Sequence, residues 1–185
     1  MTTRSVRTLA VACLTLASAG ALRAQTTEVA GPTRHSVELG VDAQASFGLD
    51  DPKVTTVDIP AARFRIGFVM TPNISFEPVF GLSYIHFSGA NLTQYQALLG
   101  MLYHFEPDTR LNQLYVRPFF GMVGVSGSGN HTTQAELGAG LGIKVPLTPR
   151  VSARFETNYQ HAFSSGDSGS SNAIALLAGL SLFAR

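Results

Sequence analysis

The sequence predicts an all-β fold, an eight-stranded antiparallel up-and-down transmembrane β-barrel. Three observations predict it. Apolar and polar residues alternate in long runs, as successive side chains do on a pleated strand. The runs have the ~9–11 residues that a tilted strand needs to cross a bilayer. Glycines gather on the polar parity, where a water-facing strand would carry Thr, Lys or Glu.

The clearest run is QAELGAGLGIKVPLTPRVSARFETNYQHAF, residues 134–163. Ala135, Leu137, Ala139, Leu141, Ile143 and Val145 alternate with Gln134, Glu136, Gly138, Gly140, Gly142 and Lys144. After the PLTPR turn, Val151, Ala153, Phe155, Thr157 and Tyr159 alternate with Ser152, Arg154, Glu156, Asn158 and Gln160. A soluble barrel would also alternate, so the glycines decide which face is wet. Glycine weakens a strand but is useful where side chains crowd, as inside a barrel of about eight strands. Gly40, Gly67, Gly81, Gly100, Gly121 and Gly179 share this parity with Gly138, Gly140 and Gly142. The polar parity is therefore the interior, and the apolar parity faces lipid.

The chain opens on a basic segment with Arg4 and Arg7, a short apolar core from Leu9 to Ala21, and small residues up to Ala24. That is the pattern of a secretory signal peptide, expected to span 1–24 with cleavage after Ala24, while Ala19 and Ala21 also fit the small-residue rule. Cys13 leaves with it, and residues 25–185, the barrel domain, contain no cysteine. Thiol redox chemistry is excluded there. The same cut leaves ten basic against twelve acidic residues, which offers nothing to nucleic acid. Charged residues make up 14% of the chain against ~25% in soluble proteins.

Strand one is expected at 36–47, with Glu38, Gly40 and Asp42 inward. Strand two, 55–70, turns Arg63, Arg65 and Gly67 inward, and Pro60 predicts a bulge near its outer end. Strand three, 74–85, turns Glu77 and Gly81 inward; strand four, 92–105, turns Gln94, Gln96, Gly100 and His104 inward. Strand five, 114–125, places Arg117 inside, since arginine is expensive on the lipid face, and leaves Gly124 outside as an exception. The 134–163 hairpin supplies strands six and seven, and strand eight is expected at 172–183. The loops HFSGAN, SGSGNHTT and SSGDSGSS join strands at the outer end. Tyr84, Tyr95 and Tyr159 near the loops, and Tyr103, Phe105 and Tyr115 near the turns, read as two aromatic girdles.

The interior parity collects Glu38, Asp42, Glu77, Glu136 and Glu156 against Arg63, Arg65, Arg117, Lys144 and Arg154. Five acids and five bases in so narrow a lumen predict a salt-bridged plug rather than an open path. His35, His86, His104 and His131 have no metal-ligand spacing, and no cofactor motif is present.

With VRPFFGMVGVSG at 116–127, RFETNYQHAF at 154–163 and the terminal GLSLF at 179–183, the chain resembles small eight-stranded outer-membrane barrels. These are similar to the membrane domain of outer-membrane protein A and its short relatives. The resemblance implies a bacterial outer-membrane protein with a structural or envelope role. It implies contact with outer-membrane lipid and lipopolysaccharide, insertion by the barrel-assembly machinery, and a monomer. A peptidoglycan-binding domain is not expected after strand eight. The chain ends Phe183-Ala184-Arg185, where such barrels usually end on an aromatic residue. Segment 159–172 is also similar to the strand of outer-membrane lipid A deacylases that carries a histidine and, two residues on, a serine. Here Phe163 stands two residues after His161, so a deacylase-like enzyme is the alternative the residues disfavour. A small passive channel is the other alternative.

Overall fold

The computed structural model describes residues 36–50, 55–87, 90–105, 112–127, 130–148, 150–166 and 169–184. The expected signal peptide, its cleavage site, His35 and the side chain of His86 lie outside the described residues. Eight strands form: β1 Val37–Gly48, β2 Thr55–Val69, β3 Ile74–Phe87, β4 Ala90–His104, β5 Gln113–Gly127, β6 Asn130–Thr148, β7 Val151–Ala162 and β8 Ser171–Ala184. Each pairs antiparallel with its neighbours in sequence, and β1 pairs with β8 from Val37↔Ala184 to Gly48↔Ala173, which closes the barrel. Closure leaves no free sheet edge, the condition for strands to stand in lipid.

The strands outrun the alternating segments that predict them. Pairing between β5 and β6 continues to Gly127↔Asn130, so most of the expected SGSGNHTT loop is strand. β3 and β4 likewise zip up to Phe87↔Ala90, across much of the expected HFSGAN loop. A hairpin gains backbone hydrogen bonds from every added rung, and Thr and Ser tolerate the pleat without needing lipid. At Pro60 the expected irregularity is present. β1 and β2 run in register to Asp42↔Arg63 and resume at Gln44↔Asp58, a shift that brackets the proline. A second shift falls between Pro146 and Thr148, at the turn into β7. At the β2–β3 turn the Thr71 hydroxyl accepts the Ile74 amide hydrogen bond at 3.0 Å.

The burial is inverted relative to a soluble protein. Exposed positions carry Leu39, Phe64, Phe80, Leu82, Leu137 and Leu176, while Glu38, Arg65, Glu77, Arg117, Lys144 and Arg154 are buried. The interior glycines make room for these side chains. A Cβ at Gly140 would lie 2.6 Å from Glu156 Oε1, and one at Gly40 would lie 2.5 Å from Arg65 Cζ. Gly124, the exception on the outer face, has its own occupant. It pairs with Tyr95, whose ring lies where a Cβ would stand. The Tyr95 hydroxyl reaches across to hydrogen-bond the Thr133 hydroxyl on β6. An aromatic ring over a strand glycine covers the backbone that the glycine leaves bare.

Candidate functional site in the barrel lumen

Alternation sends one residue in two of every strand into the lumen, so each wall contributes at each level. β1 supplies Glu38 and Asp42, β2 Arg63 and Arg65, β3 Glu77, β5 Arg117, β6 Glu136 and Lys144, and β7 Arg154 and Glu156. All ten side chains predicted from parity are buried in the structure.

Eight of them form one continuous network. Lys144 Nζ donates to Glu38 Oε2 at 2.5 Å, and Glu38 Oε1 lies 3.6 Å from Arg65 Nη1. Arg65 grips Asp42 with Nε to Oδ2 at 2.6 Å and Nη2 to Oδ1 at 2.9 Å, and its Nη1 reaches Glu77 Oε2 at 3.2 Å. Arg154 Nη1 donates to the same Glu77 oxygen at 2.5 Å, and its Nη2 donates to Glu156 Oε2 at 2.6 Å. Arg117 closes the chain on Glu156 Oε1 through Nη2 at 2.6 Å. Four acids face four bases, so the buried cluster is neutral overall. Paired, multiply hydrogen-bonded charges are the form in which ions survive burial.

The other two stand apart. Glu136 takes a hydrogen bond from Gln96 Nε2 at 3.1 Å, and no ion pair holds it among the described residues. Arg63 is 6% exposed, yet its Nε, Nη1 and Nη2 meet no acceptor among the described residues. The five-against-five expectation is corrected to four against four, with Arg63 and Glu136 above the network. Parity settles which face a charge occupies, whereas pairing depends on height along the barrel axis and on which strands face each other.

Tyr115 is the second correction. Its place near the turn end of β5 suggested a girdle residue, but it is fully buried in the lumen. It shares the parity of Arg117 and Phe119, and parity overrides proximity to an end. Its hydroxyl accepts from Arg154 Nε at 2.6 Å and donates to Glu156 Oε2 at 2.9 Å, so it is wired into the network. Of the other five aromatic residues, Tyr84, Tyr103, Phe105 and Tyr159 are exposed and Tyr95 is half-buried over Gly124, with Tyr103 and Phe105 edge to face at 5.6 Å.

Sequence reasoning set Phe119 on the inward parity of Arg117 but did not single out an apolar part of the lumen. Val79, Leu98 and Phe119 turn inward and pack together, with the Arg117 guanidinium 4.6 Å from the Phe119 ring centroid. Their inward parity is visible in the sequence, but apolar residues on a polar face read as noise there. Ser181 was missed too, and Asn158, placed inside by its parity, was not assigned to the network; both are buried, Ser181 accepting from Arg65 and Asn158 donating to Glu156.

His161 Nδ1 lies 2.9 Å from Asn172 Oδ1, and its ring meets Phe163 edge to face at 4.6 Å. No cluster of His, Cys, Asp and Glu able to hold a metal occurs among the described residues.

Known structures share this architecture. Neisserial surface protein A superposes with a TM-score of 0.64 at 15% identity, covering 79% of this chain and 96% of its own. The N-terminal barrel of Pseudomonas aeruginosa OprF gives 0.51 at 16% identity, covering 80% and 98%. Ail, the attachment invasion locus protein of Yersinia pestis, gives 0.50 at 12% identity, covering 82% and 100%. At these identities the likeness is one of fold. No curated protein matches the sequence. The model of the outer membrane protein beta-barrel domain matches residues 9–181, nearly the whole chain, so this protein of the bacterial outer membrane belongs to the outer membrane protein beta-barrel domain family.

Proposed function

We propose that the protein is a structural component of the outer membrane, a monomeric barrel whose lumen is sealed. The observation that carries this reading is the continuous neutral network of eight charges beside the Val79, Leu98 and Phe119 layer. A conducting path needs water along its length, and side chains locked to one another on β1, β2, β3, β5, β6 and β7 would stand across it. The exterior supports the rest. Its apolar band would contact acyl chains, and Tyr84, Tyr95, Tyr103, Phe105 and Tyr159 would anchor at headgroup level near lipopolysaccharide. Delivery would rest on the barrel-assembly machinery. In planar bilayers the refolded protein should show little or no steady conductance. Large, lasting single-channel currents would replace the sealed barrel with a passive channel.

The same reading assigns no catalysis. A serine activated by His161 would need a hydroxyl within hydrogen-bond reach of the ring. The ring nitrogen that the structure pairs meets an amide oxygen instead. Cells overproducing the protein should therefore keep the acyl pattern of their lipid A. Loss of one acyl chain that disappears with His161→Ala would establish a deacylase.

A further inference from the structure

Above the charge network the lumen opens into a vestibule of about 290 Å³ with both polar and apolar walls. Three side chains on its wall have unmet and complementary demands. Arg63 presents three buried nitrogens without an acceptor, and Gln160 Nε2 is a buried donor without one. Glu136 Oε1 is a buried acceptor without a donor. Buried polar atoms are normally satisfied, and each exception calls for a reason. Arg63 stands on β2 and Glu136 on β6, on opposite walls of a closed eight-stranded barrel. Gln160 lies beside Glu136, since its β7 register partner is Gly138. The gap between the two walls is where a guest would sit. Half-buried Gln44, Gln94 and Gln134 add amide groups to a wall that Val123, Ala162 and Ala173 share.

We propose that this vestibule is a binding site for a small hydroxylated carboxylate, of the class of sugar acids and hydroxy acids. The carboxylate would accept from Arg63 as a two-pronged pair on one wall, and on the other wall one hydroxyl would donate to Glu136 and another would accept from Gln160. A guanidinium fork matches a carboxylate in geometry. A single cation facing an acid suits one negative charge better than the two of a phosphate. The volume is at the small end for ligand sites, which limits the guest to a few polar groups. The site goes beyond the sealed-barrel reading, because a blind vestibule binds a solute without passing it.

The test is isothermal titration of the full chain in detergent micelles with glucuronate as probe. Glucose, which lacks the carboxylate, and acetate, which lacks the hydroxyls, serve as comparisons. Glucuronate should bind saturably and at least about tenfold more tightly than either, a difference that one good charged pair supplies. Arg63→Gln should lose that advantage while the unboiled protein keeps its folded gel mobility, since the guanidinium holds no other residue in place. Glu136→Gln should tighten glucuronate several-fold, because it removes a repelling charge and keeps an acceptor oxygen. If Arg63→Gln does not fold, the Glu136→Gln arm decides alone. No saturable heat with glucuronate, equal binding of glucose, or affinity unmoved by these substitutions overturns the site. Conductance is a separate readout: an open channel would refute the sealed barrel without producing this pattern of affinities.

Discussion

Arg154→Met should sharply lower the midpoint of thermal unfolding in detergent, read from the shift between the folded and heated bands on a gel. Arg154 holds Glu77 and Glu156 at 2.5 Å and 2.6 Å and also donates to Tyr115. Removing it leaves two buried carboxylates with one partner fewer each. Breaking a buried pair from one side costs about 3–5 kcal/mol. Glu136→Gln is the contrast, because Glu136 lies outside the network and keeps its Gln96 contact as an amide. Its cost should stay within about 1 kcal/mol. Lys144 and Glu38 separate desolvation from attraction. Either single Met substitution should destabilise, whereas Glu38→Met with Lys144→Met should recover much of the loss, since both desolvation penalties vanish together. Arg65 stays neutralised by Asp42 and Glu77 in that double variant. Equal stability of Arg154→Met and the native protein would show that the lumen charges are solvated rather than interlocked.

Gly142→Val should prevent the chain from reaching its folded barrel form, or leave it far less heat-resistant. A Cβ at Gly142 would collide with the Tyr115 ring and hydroxyl and lie 2.8 Å from the Phe155 carbonyl oxygen. The side chain could move, but only by releasing Arg154 and Glu156. The carbonyl belongs to the neighbouring strand and cannot move without breaking the β6–β7 ladder. Overpacking a filled interior costs about 1–3 kcal/mol, and the loss of the Tyr115 contacts adds to it. Leu141→Val, one residue earlier, faces outward and is 53% exposed. It should leave stability within about 0.5 kcal/mol of the native protein. Equal behaviour of the two variants in the refolding assay would mean that the glycine face is not packed as described.

The difference between Leu141 and Gly142 shows how far the chain could be read unaided. One residue of displacement exchanges lipid for lumen, so alternation alone assigns both correctly. The same rule places Arg63, Arg65, Glu77 and Arg154 inside without any knowledge of their neighbours. It also places Tyr115 inside, but nearness to a turn carries a competing signal, that of an interfacial ring. Gly124 is the reverse case. Its outward position follows from parity, and only the Tyr95 ring lying over it explains why a glycine is there.

By itself, then, the sequence determined the strand number, the face of each residue and the membrane as solvent. These follow from a period of two, run lengths near the bilayer thickness and glycines on the crowded side, all properties that act along the chain. The tertiary structure decided which charges meet. Lys144 and Glu38 are 106 residues apart and Arg154 and Glu77 are 77 apart. Their pairing depends on how the closed barrel staggers eight strands against one another, and no local pattern records that stagger. It also decided that Arg63 and Glu136 stay unpaired, because the height at which a side chain enters the lumen is a property of the whole sheet.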